Sequence, residues 1–226
     1  MNREFIWPKL QEIGVQGTYD DFNEAKEQVL DKSEQEYIAA PIKPFSEVKP
    51  FLKYLVDQMG FTDFTVEQLR EIEGEGWEYI GKKITCFPGT REALQWIRNQ
   101  ELKLAVVSNW YQKMIENYLH QLEIRHFFDT IITSEKAGAL KADLKPFQMT
   151  LDELNVLPNR TIHIGDNVRH DGSCRQLGIR YIYSTWHLAE HPEEPTLAVS
   201  ENLYDYTVAT YPQLIDLLQN IISVQQ

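Results

Sequence analysis

From Pro88 onward the sequence alternates short apolar runs with amphipathic runs, and no other feature constrains the fold as strongly. Runs rich in Ile, Val and Leu predict strands, and apolar residues three or four apart predict helices. The predicted strands are 102–107, 129–133, 161–164, 179–184 and 204–208, and the predicted helices are 91–99, 111–122, 146–154, 171–177 and 211–222. Such alternation implies a parallel sheet with helices on both faces, so the predicted fold class is α/β with a doubly wound sheet.

The part of the chain before this alternation has a different pattern. Residues 8–82 carry apolar side chains at helical spacing, as in Leu69 and Ile72, and prolines and a glycine punctuate the pieces. We therefore predict a compact helical unit at 8–82 and an α/β unit at 83–226. Residues 1–7 are assigned to neither unit by this pattern.

Composition and charge narrow the class of protein. The chain has 226 residues, of which 42% are hydrophobic and 25% charged, as is typical of a globular protein. A formal net charge of −12 argues against nucleic acid or an anionic membrane surface as a partner. It still allows a phosphorylated small molecule, because a local lysine and a bound cation can offset the charge. Two distant cysteines, Cys86 and Cys174, fit a reducing cytoplasm, and no apolar run is long enough to span a membrane.

The predicted strand 161–164 ends in a pattern typical of a cation site. Gly165 and Asp166 follow the strand, and Asp171 stands five residues further on. Strands of α/β folds carry ligands at their carboxyl ends, and a glycine lets the chain turn there so that the second carboxylate approaches the first. Because Mg²⁺ prefers carboxylate oxygens with room for water, we predict that Asp166 and Asp171 hold Mg²⁺. The alternative is that the two carboxylates only stabilise the start of the next helix.

Polar groups also follow two other predicted strands. Ser108 and Asn109 end the strand 102–107, where a hydroxyl and a backbone N–H would bind a phosphate oxygen. The alternative there is an ordinary helix N-cap. Lys141 comes after the strand 129–133, where an ammonium would neutralise charge on a transferring phosphoryl group, the alternative being a solvated surface lysine. Together with the two carboxylates, these groups favour a site for a metal ion and a phosphate.

Nearby side chains favour plainer interpretations. His163, inside a predicted strand, is expected to be packed or hydrogen-bonded, and Arg169 and His170 are expected to face solvent or the helical unit. His187 and His191 are four residues apart, a spacing that zinc sites use, but no third ligand accompanies them. A surface loop or helix is therefore the favoured interpretation of that pair.

The run from Pro88 to about Ile222 resembles the core of the haloacid dehalogenase-like (HAD) superfamily, most of whose members are Mg²⁺-dependent phosphatases. The segments that resemble its second, third and fourth motifs are Val106-Val107-Ser108-Asn109, Lys141-Ala142-Asp143-Leu144-Lys145, and Gly165-Asp166 through Asp171. The third motif departs from the family pattern, because Ala142 and Leu144 replace two prolines. Phe147 and Leu151 keep the family's offsets from Lys141, so we expect Lys141 rather than Lys145 to be the site lysine. The resemblance implies a Rossmann-like core, with 8–82 as a helical cap.

The family's first motif, Asp-x-Asp-x-Thr on the first strand, is missing from the sequence. Its first Asp is the nucleophile and its second the general acid and base. The adjacent pair Asp20-Asp21 has no apolar strand before it and is not a replacement. In the family that strand is central, between the strands of the second and fourth motifs, so its loss would leave two unpaired edges facing a gap. Residues 3–7 are one candidate for a substitute strand, and a strand-sharing homo-oligomer is another way to fill the gap.

The resemblance implies one of two functions. In its complete form the protein would be a cytoplasmic, Mg²⁺-dependent phosphatase of a small phosphorylated metabolite, with a start upstream of Met1. Ser108, Asn109 and Lys141 would bind the phosphoryl group, Lys141 would stabilise its charge, and Asp166 and Asp171 would hold the metal. The alternative is a catalytically inactive ligand-binding or interaction protein. As written, this chain is not expected to turn over phosphate esters by the family's covalent mechanism, because it lacks the nucleophilic Asp.

Overall fold

The computed structural model describes residues 2–39, 50–186 and 203–224 of the chain. The chain divides into two compact units, Met1–Ile84 and Thr85–Gln226. His187 and His191 lie outside the described residues, so the interpretation of that pair stays a prediction. None of the described helices is long and apolar enough to cross a membrane.

The first unit is built from helices. A π-helical turn at Asn2–Ile6 is followed by α1 (Trp7–Glu12), α2 (Tyr19–Ala39), α3 (Phe51–Gln58) and α4 (Val66–Gly81). All of these elements contribute buried apolar side chains to one core, among them Ile6, Leu10, Phe22, Leu55 and Leu69. The α4 helix begins with a capping box, in which the side chains of Thr65 and Gln68 bond to each other's backbone N–H groups. The helical pattern of the sequence therefore produces helices that share one apolar core.

The substitute strand that the sequence suggested at residues 3–7 is wrong. These residues are helical and lead directly into α1. Ile6, Trp7 and Leu10 are all buried in the helical core, a spacing that fits one face of a helix, whereas a strand would place Ile6 and Trp7 on opposite faces. Pro8 lies in the first turn of α1, where its missing N–H costs no hydrogen bond.

The second unit alternates helices and strands. Its elements are α5 (Thr90–Asn99), β1 (Ala105–Ser108), α6 (Gln112–Gln121), β2 (Thr130–Thr133), α7 (Ser134–Ala137), α8 (Lys145–Leu154), β3 (Ile162–Gly165), β4 (Arg180–Ser184), β5 (Tyr206–Val208) and α9 (Tyr211–Val224). Every described strand pair is parallel. The α/β class predicted from the alternating pattern is therefore confirmed. The predicted helix 171–177 is a 3₁₀ helix at Gly172–Leu177, and the short helix α7 had no signal in the sequence pattern.

The strands of this unit do not form one continuous sheet. β1 pairs with β2 in one sheet, and β3, β4 and β5 pair in that order in a second sheet. Within the described residues no strand pairs with both β1 and β3. The break therefore lies between the strand that ends at Ser108 and the strand that ends at Gly165, where the resemblance placed the missing strand.

Burial of the strands reflects this break. All four residues of β2 are buried, whereas all four residues of β1 and of β3 are only partly buried. A cavity of about 450 Å³ lies beside them, with Leu104, Ile162 and Ile164 among its lining residues. An inner strand of a two-faced parallel sheet is ordinarily covered on all sides. The partial exposure of β1 and β3 is therefore what two strand edges bordering a gap should show.

Candidate functional site

The carboxyl ends of β1 and β3 are linked by the side chain of Asn109. Its Oδ1 accepts hydrogen bonds from the backbone N–H of Lys141 at 2.8 Å and from the Ser134 hydroxyl at 2.8 Å. Its Nδ2 lies 3.2 Å from Nδ1 of His170, in the turn that follows β3. One amide therefore connects the ends of both sheets and the loop that carries Lys141. Because this amide is engaged with the protein, the backbone N–H is the group of Asn109 that remains for a phosphate oxygen.

Lys141 and Asp171 form an ion pair between the loop after α7 and the turn after β3. The Lys141 ammonium donates to Oδ1 of Asp171, and Nε2 of His163 lies 2.8 Å from the same oxygen. The second oxygen, Oδ2, accepts from the backbone N–H of Asn167 at 3.0 Å. The Asp171 carboxylate is only 1% exposed, so it is a buried charge with three partners.

The partners of Asp171 decide its ionisation. Burial alone would raise the pKa of Asp171, but the hydrogen bond from His163 and the positive charge of Lys141 outweigh burial. The pKa of Asp171 therefore lies well below its usual range, and the group is a carboxylate at neutral pH. The carboxylate does not cap the 3₁₀ helix that follows it. The alternative in which Asp171 only caps the next helix is therefore wrong.

Gly165 is required here for close approach rather than for a turn. Its φ is not positive, unlike that of six other glycines of the chain. A Cβ at position 165 would collide with the side chain of Asp171. The hydroxyl of Tyr181 also donates to the carbonyl oxygen of Gly165 at 3.1 Å. The glycine therefore lets Asp171 lie directly against the end of β3.

Asp166, the other predicted metal ligand, is exposed at the end of β3. No group of three His, Cys, Asp or Glu side chains in the described part of the chain converges as a metal site. Two carboxylates remain, one exposed and one held as an anion, and oxygen donors of this kind suit Mg²⁺ with water completing its shell. The donor chemistry thus fits Mg²⁺, although a cation at Asp171 would share that carboxylate with Lys141.

The Ser108 hydroxyl and the neighbouring aromatic residues border this cluster. Oγ of Ser108 accepts from the backbone N–H of Trp110 at 3.2 Å, which places the hydroxyl at the turn after β1. Trp110 is 37% exposed and its ring contacts Tyr118 edge-on. Ser108 therefore lies at the same carboxyl edge as Lys141 and Asp171, as the sequence predicted for parallel strands.

The backbone after Lys141 explains why Leu144 stands in place of one of the family's two prolines. Leu144 has φ of 69°, and its N–H donates to the carbonyl of Lys141 at 3.0 Å. Proline is fixed near φ −65° and has no N–H, so it could adopt neither feature. The neighbouring candidate Lys145 is exposed, and no hydrogen bond joins it to this cluster among the described residues.

Three members of the cluster were not assigned to it from the sequence. The expectation that His163 is packed or hydrogen-bonded is confirmed, because it bonds Asp171 and lies between the rings of Phe147 and Tyr181, but its bond to a predicted site residue was not foreseen. His170 is partly buried and its Nδ1 lies 3.2 Å from Nδ2 of Asn109, a contact that the sequence did not predict. Ser134 was not considered. The signal for His163 was available, since residues 163 and 165 share a face of β3 and Asp171 lies against that face.

At the ends of its parallel strands the α/β unit brings together a lysine, an aspartate and a Ser-Asn turn. Residues 57–184, more than half of the chain, match the sequence profile of the family described as haloacid dehalogenase-like hydrolases. The chain therefore belongs to the haloacid dehalogenase-like hydrolase family.

The curated relatives of this chain are named as hydrolases or phosphatases. The chain is 31% identical over 135 residues to haloacid dehalogenase-like hydrolase domain-containing protein 3 of Xenopus laevis, covering 60% of this chain and 53% of that protein. It is 27% identical over 100 residues to a phosphorylated carbohydrates phosphatase of Thermotoga maritima, covering 44% of this chain and 46% of that protein. The chain thus spans about half the length of the curated relatives it matches.

Solved structures share the fold over most of the chain. A HAD phosphatase from Thermococcus onnurineus aligns with a TM-score of 0.63 at 19% identity, covering 95% of this chain and 86% of the other. The HAD-hydrolase YfnB of Bacillus subtilis, solved with magnesium, aligns with a TM-score of 0.69 at 14% identity, covering 95% and 89%. At these identities the likeness concerns the fold.

Proposed function

We propose that this protein is a hydrolase of phosphate monoesters that acts on a small phosphorylated metabolite. The observation that carries the proposal is the cluster of Lys141, Asp171 and the Ser108-Asn109 turn at one edge of the parallel strands. A lysine whose backbone and ammonium are both held in place offers a fixed positive charge to a phosphoryl group. Relatives named as phosphatases support the same class of substrate.

Each residue of the cluster has a distinct part in this proposal. The Ser108 hydroxyl and the Asn109 backbone N–H bind phosphoryl oxygens, and Lys141 neutralises the charge that develops on them. The Asn109 side chain positions Lys141 through its backbone N–H. His163 holds the Asp171 carboxylate in place through Oδ1. Asp166 and Asp171 would hold Mg²⁺, which when bound supplies positive charge to the phosphoryl oxygens.

The attacking group is not assigned to any residue of this chain. The sequence has no Asp-x-Asp, and a carboxylate nucleophile beside Ser108 and Lys141 would have to come from elsewhere. The helical unit keeps its expected role as a cap that selects the leaving group, again as a proposal.

The first test is whether inorganic phosphate binds with and without Mg²⁺. The melting temperature of the protein reports the binding. We expect the two together to raise the melting temperature by a few degrees, because a ligand that binds only the folded state stabilises it. Lys141→Met should abolish the shift. Lys145→Met is the matched control, since Lys145 is an exposed lysine four residues away, and it should keep the shift. No shift in the unchanged protein, or an equal loss in both variants, would contradict the proposal.

A second function is favoured by the missing motif itself. Without an Asp-x-Asp, the same cluster would bind a phosphorylated ligand and release it unchanged. Hydrolysis of p-nitrophenyl phosphate by the protein purified from its native cell separates the two functions. Turnover that Lys141→Met removes supports the hydrolase, and phosphate binding without turnover supports the ligand-binding protein.

A further inference from the structure

The side-chain amide of Asn109 has partners at both ends, and they fix its orientation. Its Oδ1 lies 2.8 Å from the backbone nitrogen of Lys141 and 2.8 Å from the Ser134 hydroxyl, both of which donate. The donor end, Nδ2, therefore faces the ring of His170 and lies 3.2 Å from its Nδ1. Two donors cannot share a hydrogen bond, so Nδ1 of His170 carries no proton and accepts from Asn109.

The backbone of His170 is also held next to that of Lys141. The hydroxyl of Ser173 lies 2.8 Å from the carbonyl oxygen of His170 and 3.0 Å from the carbonyl oxygen of Lys141. The backbone N–H of His170 donates to Oδ1 of Asn167 at 3.0 Å. Lys141 is therefore connected to His170 from two directions, through Asn109 at its N–H and through Ser173 at its carbonyl.

The N–H of Lys141 depends on Asn109 for a partner. Lys141 begins a 3₁₀ turn, Lys141–Asp143, and the first N–H groups of a helical turn have no acceptor within it. The terminal torsion of an asparagine side chain has only a weak preference of its own, so contacts at both ends of the amide decide where its oxygen lies. Because Asn109 is only partly buried, an amide that lost its acceptor at Nδ2 could turn towards water and leave the Lys141 N–H.

We propose that His170 is a positioning residue for Lys141. Its Nδ1 holds the amide of Asn109, and the amide oxygen holds the backbone of Lys141. The task of Lys141 as a phosphoryl-binding group rests on the proposed function, whereas the contacts that hold it do not. The competing explanation is that the ring of His170 only fills space beside Asn109.

Two substitutions separate the acceptor from the ring. His170→Phe keeps a planar ring but places carbon at Nδ1, whereas His170→Asn loses the ring but carries an oxygen as many bonds from the backbone as Nδ1. Calorimetric titration with inorganic phosphate in the presence of Mg²⁺ measures the effect. We expect His170→Phe to weaken phosphate binding about threefold to tenfold, the range for one net hydrogen bond, and His170→Asn to stay within about twofold.

The matched control is His120→Phe, the same substitution at an exposed histidine of α6, which should leave phosphate binding unchanged. A space-filling ring predicts the reverse order, with His170→Asn weaker than His170→Phe. That order would overturn the proposal, and so would equal affinities of the unchanged protein and His170→Phe.

Nuclear magnetic resonance tests the same contacts without phosphate. The ¹⁵N chemical shift of Nδ1 in the unchanged protein at neutral pH should be that of a nitrogen without a proton. A protonated Nδ1 would overturn the proposal whether or not any variant folds. Hydrogen exchange of the Lys141 amide should be at least about threefold faster in His170→Phe, but not in His170→Asn or His120→Phe.

The exchange measurement also separates this proposal from the proposed function. An unchanged exchange rate at Lys141 in His170→Phe would overturn the positioning role even if phosphate binding fell. Faster exchange in a protein that binds no phosphate in its unchanged form would support the positioning of Lys141 and overturn the proposed function instead.

Discussion

Asp171, which is buried, and Glu73, which is partly buried, lie one in each unit and have opposite pKa shifts. Asp171 in the α/β unit has its pKa well below the usual range despite its burial. Glu73 on α4 in the helical unit has its pKa raised to about 7, because burial disfavours its charge. The Glu73 carboxylate accepts from the backbone N–H of Leu52 at 2.6 Å, at the start of α3. It thus caps a neighbouring helix, whereas Asp171 holds a functional cluster together.

The difference lies in the charge partners. Asp171 bonds the ammonium of Lys141 and the ring of His163, while Glu73 has backbone N–H donors and only a weaker attraction from Arg70. Hydrogen bonds from neutral groups do not offset the free-energy cost of desolvating a full charge, whereas a paired cation does. Burial therefore does not by itself predict protonation. A carboxylate that must stay charged at a site needs an ammonium or imidazole against it, and the α/β unit supplies both.

The largest loss of unfolding free energy is expected when the Asp171 carboxylate is removed. Asp171→Ala leaves the Lys141 ammonium buried without its carboxylate, and we expect a loss of about 3–5 kcal/mol in the free energy of unfolding. Asp166→Ala is the matched control, because Asp166 is exposed, and it should change that free energy by no more than about 0.5 kcal/mol. Urea denaturation at pH 7 measures both. Similar losses in the two variants would mean that the buried ion pair of Asp171 does not anchor this edge of the sheet.

A smaller loss of unfolding free energy is expected when Lys141, the cationic partner of Asp171, is replaced. Lys141→Met keeps the length and apolar stem of the side chain but removes its charge, leaving Asp171 with His163 and a backbone N–H. We expect a loss of about 2–3 kcal/mol, less than for Asp171→Ala because two partners of the carboxylate remain. Lys145→Met should stay within about 0.5 kcal/mol. If Lys141→Met were neutral, the ammonium would not be what keeps Asp171 charged, and the contrast with Glu73 would fail.

Much of the α/β unit was predictable because its signals are local. Buried parallel strands are nearly continuous apolar runs, so the strand ends at Ser108 and Gly165 were predicted to within one residue. The break in the sheet was also predictable, since it follows from a missing central strand. Residues 3–7 were misjudged as a candidate strand because five residues cannot distinguish the two periodicities, and contacts with α2, α3 and α4 decide the outcome.

The site was less predictable because its chemistry depends on contacts between distant segments. Sequence spacing predicted that Ser108, Lys141 and Asp171 lie at one edge of the sheet. It did not show that the Asn109 side chain is engaged in hydrogen bonds with the Lys141 backbone and His170. Nor did spacing show that Gly165 is needed for the approach of Asp171. Such roles depend on which side chain fills which space, information that only the packed structure contains. The assignment of Asp166 and Asp171 to Mg²⁺ stays a prediction.

The smallest effect, and the one that varies with pH, is expected at Glu73. A carboxyl group whose folded pKa is raised stabilises the protein fully below its unfolded value of 4.5 and loses that contribution as pH rises through about 7. Glu73→Gln keeps an oxygen for the Leu52 N–H but cannot ionise. Relative to this variant, the unchanged protein should lose on the order of 1–3 kcal/mol of unfolding free energy between pH 4.5 and 8. Urea denaturation across that range measures the difference, with Glu71→Gln, an exposed carboxylate on the same helix, as the control. A difference that is flat with pH, or an unchanged protein that gains unfolding free energy relative to Glu73→Gln as pH rises, would show that Glu73 keeps its charge without a cation and would remove the contrast with Asp171.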